Sequence, residues 1–259
     1  MDKLSEQILP LKRVAVALSG GLGSSVLLSA CVEILGAENC LAASADTPYM
    51  MASEQEDAAE LCRKLGVGRV SVRLPVAEEI AGNPPDRCYL CKRAVFSRLM
   101  EESLSRGFKN FLDGTNADDL SDYRPGMKAL SELGVLSPFL AAGWGKEEIR
   151  DYALQRGMEI ACKPAYACLM TRFETGARVD GSLLKMVDES EDFLRSLGFQ
   201  CVRVRVHGKC ARIEISSDSL QKFCEPENMG VVNARLKKIG FKYVALDLEG
   251  YRRGAMNAR

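Results

Sequence analysis

Residues Val14 to Ala30 read VAVALSGGLGSSVLLSA, an apolar run that breaks into Ser-Gly-Gly-Leu-Gly-Ser-Ser and then resumes. A buried strand that feeds a glycine- and serine-rich turn at the mouth of a helix presents backbone N–H groups and the positive end of a helix dipole to one point, which suits a phosphate. That unit belongs to sheets whose strands are joined through helices, so the first expectation is an α/β fold with its ligand at a strand's carboxyl end.

The rest of the first half agrees. CLAASA (40–45) reads as a second buried strand after the helical stretch SSVLLSACVEILGA, and MASEQEDAAELCRKLGV as an amphipathic helix that stops at Gly66. RVSVRL is a third strand, CKRAVFSRLMEESLSRGF a further helix, and NFLDGTNADD a strand that runs into an acidic loop. The expected architecture is an open parallel sheet with helices on both faces. After the helix KEEIRDYALQRGM and the irregular segment CKPAYACLMTRFETG the pattern changes: SLLKMVDESEDFLRSLGF is a helix, CVRVRVHGKCARIEIS two alternating strands about a turn, and YVALDLEGY a last strand. This predicts a smaller, antiparallel α+β module, with domains of 1–172 and 173–259 and a boundary near Arg172.

Thirty-five basic against thirty-five acidic side chains leave no net charge, so no global field recruits nucleic acid or an anionic membrane and a small partner is expected. The start, MDKLSEQILPLKR, lacks the apolar core of a signal peptide, and no later apolar run reaches the roughly 20 residues of a bilayer span, so the expected setting is the cytoplasm.

Among phosphate loops, the pattern Gly-x-x-x-x-Gly-Lys-Ser/Thr fails because no lysine follows the glycines, and Gly-x-Gly-x-x-Gly fails as well. Ser19, Gly20, Gly21, Leu22, Gly23 and Ser24 do resemble, at all but one position, the Ser-Gly-Gly-x-Asp-Ser loop of the PP-loop ATP pyrophosphatases. That resemblance implies ATP bound with Mg²⁺ and cleaved between its α and β phosphates. Gly23 stands where the family has Asp, which threatens Mg²⁺ handling and turnover more than binding by the backbone and by Ser19, Ser24 and Ser25.

Ten cysteines in a chain of this kind point to buried thiols or metal ligands. Cys31, Cys62, Cys201, Cys210 and Cys224 fall at apolar-periodic positions and read as small buried hydrophobes; Cys40 and Cys162 are undecided. Cys88 and Cys91 form a Cys-x-x-Cys pair, and Cys168 lies in an irregular loop. A zinc site would want four ligands and the only histidine, His207, falls in the hairpin turn; a redox pair would want a strand leading directly into the motif. Three thiolates suit an iron–sulfur cluster with one iron open to substrate or sulfide. Zinc and purely structural cysteines remain the alternatives.

GTNADDLSDYRPGMKAL (114–130), KPAYACLMTRF, VRVRVHGKCARIEI and GFKYVALDLEGYRRGAMN together resemble the LarE family of ATP-dependent sulfur transferases, across nearly the whole chain. The resemblance implies a PP-loop domain followed by a substrate-binding and sulfur-transfer domain. It implies adenylation of a carboxylate of pyridinium-3,5-biscarboxylic acid mononucleotide by ATP, then replacement of AMP by sulfur, on the way to a nickel-pincer nucleotide, in a homo-oligomer. Members that give up their own sulfur carry a cysteine where this chain has Ala167. Members with three cysteines hold a 4Fe-4S cluster, and Cys88, Cys91 and Cys168 match those positions. Ser19, Gly20, Gly21, Ser24 and Ser25 match the phosphate cradle, with Ser44 and Gly114 near the nucleotide; Glu191 and Arg172 match catalytic-site positions. Arg203 and Arg205 alternate on one strand and so share a face suited to a substrate phosphate, the alternative being a solvated strand face. Lys92, Asp122 and Arg124 are further substrate-binding candidates. TRFETG departs from the family's SRFPYG at Thr171, Glu174 and Thr175, which bears on the substrate.

Two other functions fit parts of the pattern. One is tRNA thiolation, opposed by the lack of concentrated basic sequence and of zinc-ribbon cysteines. The other is a PP-loop paralogue that binds nucleotide or cluster without turnover, as Gly23 suggests.

Overall fold

The structure, a computed structural model, describes residues 3–121, 125–163 and 167–252. The chain forms two compact units, one of Met1–Ala77 and Asp86–Tyr166, the other of Glu78–Pro85 and Ala167–Arg259. No helix among the described residues is long and apolar enough to cross a membrane.

The first unit is built on strands β1 (Val14–Ala17), β2 (Cys40–Asp46), β3 (Gly68–Arg73) and β4 (Asn110–Leu112) in the order β3-β2-β1-β4, all parallel. Its helices are α1 (Lys3–Ile8), α2 (Leu22–Leu35), α3 (Ala52–Leu65), then α5 (Arg87–Ser105), α6 (Pro125–Glu132), α7 (Pro138–Ala142) and α8 (Lys146–Gln155), with α4 (Glu78–Ala81) assigned to the second unit. Both faces of the sheet are covered, as parallel strands require. Val14 and Val16 of β1 and Cys40 and Ala42 of β2 pack with α1, α2, α3, α7 and α8, whereas Ala15, Leu41, Ala43 and Ala45 pack with Leu99 and Phe111 on the other side. The period of two therefore survives within runs that look uniformly apolar. Helix α3 ends where expected: Gly66 takes the left-handed conformation (φ 67°, ψ 25°) and its N–H closes on the last turn.

Sequence order runs outward from β1 to β2 on one side and returns to β4 on the other. A crevice opens at the carboxyl ends of two strands that diverge in this way, which is where open α/β sheets hold ligands. The β1–α2 turn and the loop after β4 meet there.

In the second unit, β5 (Arg203–His207), β6 (Cys210–Glu214) and β7 (Tyr243–Leu246) form a sheet beside α9 (Gly181–Ser196), α10 (Leu220–Phe223) and α11 (Pro226–Ile239). Strands β5 and β6 pair antiparallel, but β6 and β7 pair parallel, so the sheet is mixed and not antiparallel throughout. The reason is α11, which lies between β6 and β7 in the chain and gives the crossover that a parallel pair needs. Asp180 caps α9 by accepting from the amides of Ser182 and Leu183, both at 2.9 Å; the Ser182 hydroxyl, donating to it at 2.6 Å, and then these amides lower its pKa. Asn83, fully buried at φ 46°, ties the early segment in: its side-chain amide donates to the carbonyls of Met170, Phe173 and Glu174 at 3.4, 3.2 and 2.9 Å.

Candidate functional site

The β1–α2 turn is shaped by its own hydroxyls and by two glycines. Ser24 Oγ donates to the Gly21 carbonyl (3.1 Å) and accepts from the Ser19 amide (3.2 Å), so the Ser19 hydroxyl, 3.1 Å away, is left to donate to Ser24. Gly20 has φ +82°, and a Cβ there would stand 2.2 Å from the Glu54 carbonyl oxygen. Only glycine fits. Gly21 is the N-cap of α2 and no side chain caps the helix, which leaves its first amides for an anion from outside the chain. Gly114 comes so close that its Cβ would meet Gly23 C and Ser24 N at 2.8 Å; a Cβ on Gly23 would in turn lie 3.0 Å from the Gly114 carbonyl oxygen.

The turn opens into a cavity of about 470 Å³, within the roughly 300–1,000 Å³ usual for small-molecule sites. Ser19, Gly20, Gly21, Gly23, Ser24 and Gly114 line one side, and Ala43, Ala45, Met50, Val95, Phe96 and Leu99 form an apolar wall. Lys92 lines it too, its ammonium 5.6 Å from the Phe96 ring centre, with its stem over Gly126 where a Cβ would meet it at 2.7 Å. Of the other expected nucleotide residues, Ser25 and Ser44 stand outside this cavity. Ser25 lines a neighbouring one, and the wholly buried Ser44 accepts from Arg69 Nε at 3.3 Å.

Charged residues that the sequence reading passed over also line the cavity: Glu54, Asp57, Asp113, Asp119, Lys146, Arg150 and Lys163. Asp113 is held by Ser137 Oγ at 2.6 Å and Thr115 Oγ1 at 2.5 Å, and Asp57 by Lys163 Nζ at 2.5 Å. Glu54 and Asp57 are three apart on α3 and so share its face, the one signal of them in the sequence. Magnesium-bound nucleotide suits this set, which combines amides at a helix start, hydroxyls, carboxylates and ammonium groups.

The second unit gathers Arg172, Glu191, Arg203 and Arg205. Glu191 sits on the apolar face of α9 with Leu184, Val187 and Leu194, and it is buried because Arg172 meets it through two bonds of 2.7 and 2.8 Å. Burial would raise its pKa; the bonds and charge of Arg172, the charge of Arg203 and the Val204 amide outweigh that and hold it below the usual value. Arg172 also donates to the Ala167 carbonyl and Thr171 Oγ1, at 2.9 and 2.8 Å. Arg203 and Arg205 are 5% and 4% exposed, which excludes a solvated strand face. Arg205 bonds Glu214 and the Thr171 carbonyl, each at 2.8 Å; Arg203 lies 4.9 Å over the Tyr251 ring and its pKa is lowered by burial and by Arg172. His207 is the last residue of β5, with Nδ1 2.9 Å from Glu174 and Nε2 accepting from Arg212. Asp122 and Arg124 lie outside the described residues.

Cys88 and Cys91 stand near the start of α5; Cys88 is exposed and the half-buried Cys91 donates to the Tyr49 hydroxyl at 3.4 Å. Burial pushes the Cys91 thiol up and the Tyr49 bond opposes this. Cys168, exposed, starts a short 3-10 turn in the second unit. Among the described residues no group of three or more His, Cys, Asp or Glu is placed to hold a metal ion. Cys31, Cys40 and Cys62 are buried. Cys201 and Cys224, expected as buried hydrophobes, are exposed, and Cys210 is half-buried. Cys201 precedes β5 and Cys224 follows α10, where periodicity in the sequence runs past the element that would bury it.

A family model described as NAD synthase matches residues 2–83, which hold the β1–α2 turn and α3. The chain is 34% identical over 259 residues to an uncharacterized protein of Synechocystis sp., covering 99% of this chain and 96% of that one. It is 34% identical over 244 residues to an uncharacterized protein of Methanocaldococcus jannaschii, covering 93% and 91%. To the pyridinium-3,5-bisthiocarboxylic acid mononucleotide synthase of Lactiplantibacillus plantarum it is 36% identical over 249 residues, covering 95% and 90%. The strand–turn–helix cradle and this end-to-end likeness agree, and the chain belongs to the LarE family of the PP-loop superfamily.

Proposed function

We propose that the protein uses ATP to activate a carboxylate of pyridinium-3,5-biscarboxylic acid mononucleotide and converts it to a thiocarboxylate. A carboxylate resists nucleophiles until one oxygen becomes part of a good leaving group. Attack of that oxygen on the α phosphorus forms the acyl adenylate and expels pyrophosphate; attack of a sulfur nucleophile on the acyl carbon then expels AMP. The observation that carries the reading is the uncapped start of α2 opening, with Ser19 and Ser24, into the cavity at the point where the strands diverge. The name of the similar Lactiplantibacillus plantarum synthase gives a product, the pyridinium-3,5-bisthiocarboxylic acid mononucleotide, and the biscarboxylic acid is the substrate that the family resemblance implies for it.

In this reading the loop amides and α2 bind phosphate, Met50, Val95 and Phe96 exclude water beside them, and Lys92 counters developing negative charge. Magnesium supplies charge neutralisation between phosphates. The roles of Arg203 and Arg205 extend to the substrate phosphate, while Arg172 and Glu191 position the segment that bears Cys168. Cys88, Cys91 and Cys168 are proposed as ligands of a 4Fe-4S cluster, which when bound supplies an open iron for sulfide.

The test is anaerobic incubation of iron- and sulfide-reconstituted protein with ATP, sulfide and the pyridinium biscarboxylate mononucleotide. The expected result is pyrophosphate and AMP, together with product heavier by one oxygen-to-sulfur exchange. ATP binding without pyrophosphate release would instead favour a nucleotide-binding paralogue, the reading that Gly23 supports. Iron and sulfide assay on anaerobically purified protein tests the cluster separately.

A further inference from the structure

We propose that Glu54 is the carboxylate that faces the magnesium ion of bound ATP, taking over from the acidic residue that the loop lacks at Gly23. The inference rests on the ATP reading above and assigns a residue to it.

Without a side chain at position 23, the loop itself has no anionic group to share a cation with the phosphates. Magnesium at such sites is held by one or two carboxylates together with substrate phosphates, so the missing group must come from a neighbouring element. Four carboxylates line the cavity. No atom of Asp57, Asp113 or Asp119 is among those nearest a Cβ on Gly20 or Gly21, so proximity to the turn separates them from the fourth.

Glu54 differs in its relation to the loop. Its backbone carbonyl is the atom that excludes a Cβ at Gly20, and its Oε1 lies 4.0 Å from the place a Cβ on Gly21 would take, where Ser19 Oγ is at 3.5 Å. The same residue therefore touches the turn with its main chain and faces the turn with its carboxylate. It stands in the first turn of α3, whose positive end favours an anion. The start of α3 is fixed against the sheet next to it: Gln55 donates to the Ala45 carbonyl at 2.6 Å and accepts from Arg69 at 2.8 Å. A glutamate delivered from this helix replaces an aspartate delivered from the loop, and the small Gly23 lets the Gly114 backbone close in where that aspartate would have stood.

The experiment measures binding, not turnover, by calorimetric titration of ATP with Mg²⁺ and of ATP with a chelator. Wild type is expected to prefer the magnesium complex. Glu54→Gln keeps the backbone carbonyl against Gly20; it should lose about tenfold or more in affinity for the magnesium complex and leave metal-free ATP unchanged or tighter, since a charge has gone. A Glu54→Gln protein that keeps the wild-type preference overturns the proposal, as does equal loss of both forms of ATP, or loss of the preference in Asp57→Asn instead. Wild type that binds ATP in neither form overturns the ATP reading along with it, a result distinct from the other three.

Discussion

Arg172 and Glu191 meet across two hydrogen bonds, Nε to Oε1 at 2.7 Å and Nη2 to Oε2 at 2.8 Å, with neither residue exposed at all. Through Nη1 the same guanidinium holds the Ala167 carbonyl and Thr171, so the segment that carries Cys168 is fixed by a charge pair whose members lie 19 residues apart in sequence.

Glu191→Gln should therefore be costly. It leaves a buried guanidinium with its charge uncompensated, a change that typically costs about 3–5 kcal/mol. The urea unfolding midpoint measures this, and an unchanged midpoint would show that the pair contributes nothing net.

The pair also sets a pH dependence. Glu191 titrates below its ordinary 4.5 when folded, so the unfolded chain takes up the proton first as the medium is acidified. Its contribution is complete above 4.5 and declines as pH falls from there through the lowered folded value. Midpoints recorded from about pH 6 to about pH 3 should fall more steeply for wild type than for Glu191→Gln. Parallel curves would contradict the assignment.

The glycines near the cavity are expected to divide by what surrounds them. Gly20→Ala and Gly114→Ala force a Cβ to within 2.2 and 2.8 Å of backbone. Strain of roughly 1–3 kcal/mol in the loop should weaken ATP binding about ten- to hundredfold. Gly66→Ala, also at positive φ but with nothing within 4 Å, should lower stability slightly and leave ATP affinity alone. Equal binding losses in all three would point to a global effect.

Thiol labelling should follow the buried set. Burial raises the pKa of Cys31, with the charge of Cys40 adding to it, lifts Cys40 to about 11, and raises Cys62. Iodoacetamide on the folded protein near neutral pH should thus modify the exposed Cys88, Cys162, Cys168, Cys201 and Cys224 first. Peptide mass spectrometry after a short reaction reads the order, and early labelling of Cys31 would contradict it.

The parallel sheet and its cradle were legible because local pattern determines them: β1 and β2 are short apolar runs, Gly66 stops α3, and the Ser-Gly-Gly turn sits between strand and helix. What local pattern misses is burial through pairing. Arg172, Arg203 and Arg205 carry charges that a sequence reading sends to the surface, and only partners such as Glu191 and Glu214 bring them inside. Glu54 was hidden likewise, as one acid among several on an amphipathic helix, until the turn was seen against its carbonyl. The parallel pairing of β7 depended on α11, whose length the turn signals around it did not reveal.

Asn83 has a consequence for the order in which the chain is made. Its three acceptors lie 87 to 91 residues downstream, so when residues 78–85 leave the ribosome nothing yet exists for them to bind. At about 5–20 residues per second that interval is roughly 4 to 18 s, during which the first unit's strands have all emerged while the second unit still waits for the rest of its chain. A fragment beginning after Arg172 would lack that segment altogether, and the carbonyls of Phe173 and Glu174 would need water in place of an amide that was synthesised long before them.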